Sequence, residues 1–427
     1  MPPDLAQPST AADTMVACND AFGSPAALPR FRAIPRQLRS GHFINRKFVL
    51  IAGTALLLLE AAILFLFIAV SHHWLGTMNN PTTTDFASFY AAGSLADAGH
   101  APLAYDLAAH RAAEEQATEP GVNYQYFYYP PVFLFICAAL AKLPYLPAFV
   151  LLQVLTLPLY LFVGRHTLAD RSWGALIGLL AFPAVFWNIG LGQNAFLTAA
   201  LFGGGLLLID RRPVLAGLLF GALCYKPHFG LLIPVALAAG GRWRAFAAAA
   251  TSATSLVLLS VATFGWESWY DSLTIFTGAH ATYESGYIDL GAFITPYGAV
   301  QLVGGGTGAA YVVQAAASLF AIGLVAAVWR KGLSLPLRAA ALLAATIIAV
   351  PLALIYDDML AVLAIAWLVR AGRAVGFLRW EKAILAAIFI APLFSRNLGT
   401  ATHIPLAMFA TAALVGVIVI RIRFELM

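Results

Sequence analysis

Charged side chains are scarce in this sequence. Asp, Glu, Lys and Arg make up 11% of its 427 residues, against 61% hydrophobic residues and a mean hydropathy of +0.81. A water-soluble domain cannot bury that much apolar surface, so a polytopic membrane protein is expected. The alternating strands of a membrane barrel are also missing. Helices remain, because they satisfy their own backbone in lipid, and the fold class is all-α. Cysteine is rare as well: Cys18, Cys137 and Cys224 lie far apart without metal-ligand spacing and read as free thiols. The chain has no Walker-type loop, no dinucleotide glycine fingerprint after a strand and no His/Cys metal set. These absences argue against a soluble nucleotide-sugar site, a bound metal or a resident cofactor.

The excess of five positive charges and the pI near 9.1 raise the question of nucleic acid. The distribution answers it, because Lys and Arg gather in short clusters between apolar runs, the positive-inside pattern of membrane topology. About twelve spans, starting with 47–70 and ending with 404–421, place every cluster on the cytoplasmic side with both termini. Residues 1–45, rich in Pro, Ala and Ser and then basic, read as a disordered cytoplasmic tail ahead of a membrane domain over 46–427. Two large outer loops follow, at 71–145 and 265–308. The apolar stretch 130–144 is short for a crossing. Counting it would invert all later basic clusters, so it is assigned to the first loop as an interfacial or half-inserted helix. Glu60 is the one evident midspan charge and reads as a protonated packing residue. No long internal repeat appears, and the polar residues collect in outer loops. Both features weigh against the first rival, a secondary transporter with charged sites in two duplicated halves. A flippase or polymerase for lipid-linked glycans is the second rival.

Several short motifs occur in a fixed order. Asp85-Phe-x-x-Phe-Tyr-x-Ala-Gly precedes Gly99-His-x-Pro-x-Ala-Tyr105-Asp106 and Tyr128-Tyr129-Pro130-Pro131. Gly192-Gln193-Asn194, Arg211-Arg212-Pro213-x-x-Ala-Gly217-x-x-x-Gly221, Lys226-Pro227 and Pro351 through Tyr356-Asp357 follow. Together, over about 50–370, they resemble the family 87 glycosyltransferases, multispanning enzymes of the GT-C class. The resemblance implies a GT-C-like bundle in the cell inner membrane with a periplasmic site. It also implies inverting transfer of a hexose, usually mannose, from a polyprenyl-phosphate sugar to a lipid or glycan acceptor. The family's catalytic Asp falls on Asp85, and Tyr105 of the first-loop signature joins the sugar and acceptor contacts. Some family members carry His where this chain has Asp357-Asp358.

The residues themselves allow this chemistry and also plainer roles. Transfer from a phosphate-linked sugar passes through an oxocarbenium-like state and needs a base for the incoming hydroxyl and cations for the departing phosphate. Asp85 is either that base or the N-cap of the helix it precedes, and the two roles are compatible. Lys226 either binds the donor phosphate or snorkels to headgroups, and the neighbouring His228 is a weaker phosphate candidate. Arg396 pairs with phosphate or with an outer-loop carboxylate. Gln193 and Asn194 bond sugar hydroxyls or cap helix ends. Tyr129 stacks on the donor or belongs to the aromatic belt. Asp357 and Asp358 orient an acceptor or pair with Lys226 or Arg396. Trp266, Trp269, Tyr270, Tyr283 and Tyr287 form a glycan-facing lid or belt residues.

Overall fold

Apolar runs punctuated by proline and glycine fold as helices. The computed structural model describes residues 37–70, 84–284 and 288–427, with the backbone alone for 277–284. The expected tail up to residue 36, the polar run 79–83, the lid candidate Tyr287 and the side chain of the lid candidate Tyr283 lie outside that description. Among the described residues every named element is helical, and isolated bridge positions, such as the antiparallel pair Phe293 and Leu354, are all there is of strand pairing. Proline opens four of the helices, Pro183–Leu191, Pro213–Ala222, Pro227–Gly230 and Pro296–Leu302. At the first helical position its missing N–H costs no bond and its φ is already helical.

Among the described residues six helices are long and apolar enough to cross a membrane: Arg46–Val70, Tyr145–Leu168, Trp243–Phe276, Gly306–Arg330, Glu381–Thr402 and Leu406–Leu426. Trp173–Leu180 and Pro183–Leu191, bent by 53° at their junction, make a seventh if they count as one span. Other crossings expected from the sequence fall on shorter helices, among them Ala195–Leu208 and Leu335–Ala349. A full crossing takes about 20 residues, so a count of about twelve depends on these short pieces too.

The packing fits a lipid solvent. Phe65, Val312 and Leu319 on the long helices are about 70% exposed, whereas Leu335–Ala349 and Met359–Val375 pack on each other and are buried over most of their length, up to the exposed last turn of the second. Pro213–Ala222 lies against the long helix that begins at Trp243, through two glycines. A Cβ on Gly217 would come within 2.3 Å of the Ala245 carbonyl, and one on Gly221 within 2.4 Å of the Ala249 carbonyl. Only the small-xxx-small spacing allows that approach. The segment 130–144 folds as a 3-10 turn, Pro131–Phe133, and the short helix Leu134–Ala141. It packs on the helix Phe86–Asp97, which also rests on Leu107–Ala117. Glu60 is a buried residue of Arg46–Val70.

The bundle has two chemically distinct ends. Tyr145–Leu168 and Ala195–Leu208 run from the neighbourhood of Asp85 to the opposite end, where basic turns meet carboxylates, Asp170 and Glu381 buried and Asp210 exposed. Asp170 pairs there with Arg373 at 3.0 Å and Arg46 at 3.5 Å. Asp210 holds Arg242 at 2.5 Å and Arg338 at 3.0 Å, and Arg421 Nη2 reaches Glu381 Oε2 at 2.7 Å.

Candidate active site

A helix N-terminus usually orients a preceding aspartate onto its own first turn. Asp106 behaves in that way, accepting the Ala109 N–H at 2.8 Å ahead of Leu107–Ala117. Asp85 does not. Its side chain makes no capping bond to Phe86–Asp97; instead Oδ2 accepts a 2.7 Å hydrogen bond from Gln193 Nε2, a residue 108 positions away. The carboxylate thus faces a cavity of about 880 Å³ rather than its own helix.

Gln193 reaches Asp85 because the helix Pro183–Leu191 stops at Gly192, whose backbone is left-handed at φ 68°. Glycine is required there twice over. The φ is unfavourable for other residues, and a Cβ would sit 2.6 Å from both Phe149 and Phe86. A polar frame supports the turn from behind. Asn188 carbonyl accepts the Gln193 N–H at 2.9 Å, and Asn188 Oδ1 accepts the Ala195 N–H at 2.8 Å. Asn188 Nδ2 donates to Gln153 Oε1 at 3.2 Å, while Gln153 Nε2 donates to the Gln193 carbonyl at 3.4 Å.

Two cations line the same cavity. Lys226, between the 3-10 turn Leu223–Tyr225 and Pro227–Gly230, is 4% exposed. Its ammonium donates to Asp357 Oδ1 at 2.7 Å and to Asn194 Oδ1 at 3.4 Å. It also lies 5.1 Å and 5.3 Å from the ring centres of Phe229 and Tyr356. Buried cations need such partners. Asp357 Oδ2 accepts the Leu354 N–H at 3.1 Å, which fixes the carboxylate on the turn Ile355–Asp358. Arg396 comes from Glu381–Thr402, its Nε donating to Asp289 Oδ2 at 2.9 Å and its guanidinium 5.2 Å above Trp187. Although burial pushes Asp289 upward, bonds from Arg396, Thr400 and the Gly291 N–H hold its carboxyl below the usual carboxylate range.

Asp85 has no comparable set of donors. Burial raises its carboxyl above the ordinary range, against the downward pull of the Gln193 hydrogen bond and of the Arg396 and Lys226 charges; nearby Asp357 adds to the rise. An aspartate poised in this way is a better proton acceptor than an exposed one.

Seven residues singled out in the sequence line this one cavity: Asp85, Tyr129, Gln193, Lys226, His228, Asp357 and Arg396. Tyr129 donates to Gln193 Oε1 at 3.2 Å. Three other candidates stand behind the lining. Tyr105 is buried and its hydroxyl donates to the Tyr129 carbonyl at 3.0 Å, so it supports the Tyr129 backbone. Asn194 is buried against Lys226. Asp358 is buried too, and burial, with the Asp357 charge beside it, pushes its carboxyl up to about 8. Asp289, Trp187 and Gln153 were not site candidates in the sequence. Asp289 was legible only as one outer-loop carboxylate among several, and Gln153 and Asn188 only as amides within apolar runs. Among the described residues no group of three or more His, Cys, Asp or Glu side chains forms a metal cage.

One wall of the cavity is the long apolar helix Arg46–Val70, through Ile63, Leu64, Phe67 and Ile68. Phe186, Trp187 and Leu191 also line the cavity, and Leu393 comes from Glu381–Thr402. An apolar flank thus adjoins a carboxylate and two cations. The sequence profile of glycosyltransferase family 87 matches residues 127–355, more than half the chain. The matched region holds Tyr129, Gln193, Lys226, His228 and Asp289; Asp85, Asp357 and Arg396 lie outside it. No characterised protein and no solved structure matches the chain.

Proposed function

As the chain belongs to glycosyltransferase family 87, we propose that it transfers a hexose, mannose foremost, from a polyprenyl-phosphate sugar to a lipid or glycan acceptor. Asp85 is the base and the anomeric carbon is inverted. The site faces the outer leaflet of the inner membrane, with both termini cytoplasmic. The observation that carries this reading is the shared cavity: Asp85, Lys226 and Arg396 face one space whose wall is the apolar helix Arg46–Val70. A polyprenyl tail suits that wall, and the phosphate suits the cations beside it.

In the reaction the bond between the sugar C1 and the phosphate oxygen breaks as the acceptor oxygen bonds to C1. The acceptor proton passes to Asp85, and polyprenyl phosphate leaves as a stable anion. Such a leaving group needs no protein acid, so a single base suffices. Arg396 gives Asp289 its Nε and retains its terminal N–H groups for a phosphate oxygen. Lys226 shares its charge between Asp357 and the arriving phosphate. Tyr129 flanks the sugar, and His228, on the same lining as Lys226, is a further phosphate contact. The apolar wall keeps water, the competing acceptor, from the reacting carbon.

The test is transfer in membranes with labelled polyprenyl-phosphate sugars and, in parallel, nucleotide sugars, wild type beside Asp85→Asn. Lipid-linked donors are expected to serve only the wild type. Use of nucleotide sugars alone, or full activity in the variant, would overturn the mechanism.

A further inference from the structure

We infer that Gln193 is a positioning residue: it holds one oxygen of the Asp85 carboxylate so that the other is presented to the acceptor hydroxyl, and it does not itself bind sugar. The inference rests on the reading of Asp85 as the base.

The hydrogen-bond network settles the direction of the Gln193 amide. Its Oε1 lies 3.3 Å from the Asn194 backbone N–H and 3.2 Å from the Tyr129 hydroxyl. A backbone N–H can only donate, so the oxygen belongs on that side and the amide N–H₂ faces Asp85. Flipping the amide would set nitrogen against an N–H and oxygen against a carboxylate. The Gln193 backbone is held as well, by the Asn188 carbonyl and by Gln153. With 4% exposure, Gln193 has both ends of its amide engaged by protein. A side chain so occupied has little left for a hexose, yet it is well placed to lock a rotamer. Asp85 Oδ1 receives no hydrogen bond from the described residues, and this is the oxygen left for the incoming proton.

The groups that face Asp85 set the expected pH response. Tyr145 and Tyr129 approach from the Tyr145–Leu168 helix and the first loop, Lys226 and Asp357 from the two short turns, and Arg396 from Glu381–Thr402. Gln193 is the hydrogen-bond donor among the neighbours of the carboxylate. Its N–H₂ bonds the ionised form more strongly than the protonated one, so its removal favours protonation and displaces the acid limb of activity to higher pH.

The experiment measures kcat, donor and acceptor KM and the pH profile of full-length protein in proteoliposomes, for wild type, Gln193→Leu, Gln193→Glu, Tyr129→Phe and Asp85→Asn. Thermal melting checks the fold of each. Gln193→Leu is expected to lower kcat by up to about 10²-fold, the scale of a misplaced catalytic group. Its two KM values should stay within about threefold of wild type, with the acid limb moved up in pH. Gln193→Glu keeps the shape but sets two carboxylates to share one proton, so its limb moves further. Tyr129→Phe loosens the amide and gives a smaller shift in the same direction, and it decides the matter if Gln193→Leu fails to fold. An unmoved pH profile with a raised acceptor or donor KM would overturn the inference and make Gln193 a substrate contact. Should Asp85→Asn lose activity while all Gln193 and Tyr129 variants keep the wild-type profile, only the positioning role falls. Should Asp85→Asn remain active, the mechanism and this inference fall together.

Discussion

Asp85 and Asp170 each stand just before a helix, at opposite ends of the bundle, and the chain has equipped them differently. Asp170 is bonded by the N–H and side chain of Ser172 and by the charges of Arg373 and Arg46. Although burial pushes it upward, these partners hold its carboxyl below the usual range. Asp85 receives one amide bond, burial dominates, and its carboxyl is raised. The same side chain is thus held toward its ionised form at one end and toward its protonated form at the other. The buried ion pairs repeat the contrast. Arg421 and Glu381 meet as a bidentate pair away from the cavity, whereas Lys226 and Asp357 meet on the cavity lining. Burial and pairing alone therefore do not mark function. What distinguishes the site is polar capacity left facing a space that a substrate can enter.

The sharpest way to break this comparison is Asp85→Asn, expected to lower kcat by about 10²–10⁴-fold, the usual contribution of a general base. Its melting temperature should not fall, because among the described residues no ion pair depends on Asp85. A large drop in stability with modest loss of rate would make Asp85 resemble Asp170. At the opposite end, Glu381→Gln leaves Arg421 buried without its counter-charge, at a cost of roughly 3–5 kcal/mol in stability. Denaturation in detergent should report this loss, with donor KM unchanged in whatever protein stays folded. Lys226→Met is expected to raise donor KM about tenfold, equivalent to ~1.4 kcal/mol of binding, and to destabilise the chain by stranding Asp357. Adding Asp357→Asn should restore stability but not donor use. Normal donor use in the double variant would place Lys226 with Arg421 as a structural cation.

The smallest effect separates the two aspartates by pH. Asp170, with its lowered carboxyl, contributes stability that is complete above the unfolded value of about 3.9 and is lost as pH falls through its lower folded value. For Asp85, with its raised carboxyl, the favoured form is protonated. Its contribution is present below about 3.9 and lost as pH rises through its folded value, while activity needs the ionised form. Activity should accordingly fade at a higher pH than stability on acidification. Coincident loss of activity and secondary structure in a pH series would remove the distinction.

Much of this was legible because hydropathy is a local property. Apolar runs and basic turns identify a helical membrane protein without reference to partners, and the ordered motifs point to the family that the sequence profile matches. Lys226 stood out because a charge beside an apolar run is costly and calls for an explanation, and Asp85 because the resemblance puts the family's catalytic Asp there. Reading the partners was harder. Arg396 had either phosphate or an outer carboxylate to choose from, and the fold supplies Asp289; Asp357 had either Lys226 or Arg396, and the fold supplies Lys226. Tyr105 looked like a site residue because it shares a motif with its neighbours, yet it lies one layer back, bonding the Tyr129 carbonyl.

Composition and hydrophobic pattern by themselves determined that this chain is helical and lives in a membrane, since the transfer of apolar residues from water depends on each segment alone. The tertiary structure decided which carboxylate is held by an amide on a cavity wall and which is held by arginines. Asp85 bonds to a residue 108 positions later, and Lys226 to one 131 positions later. The proton affinity of a buried group is set by whatever the fold brings within a few ångströms, a quantity that no local stretch of sequence contains.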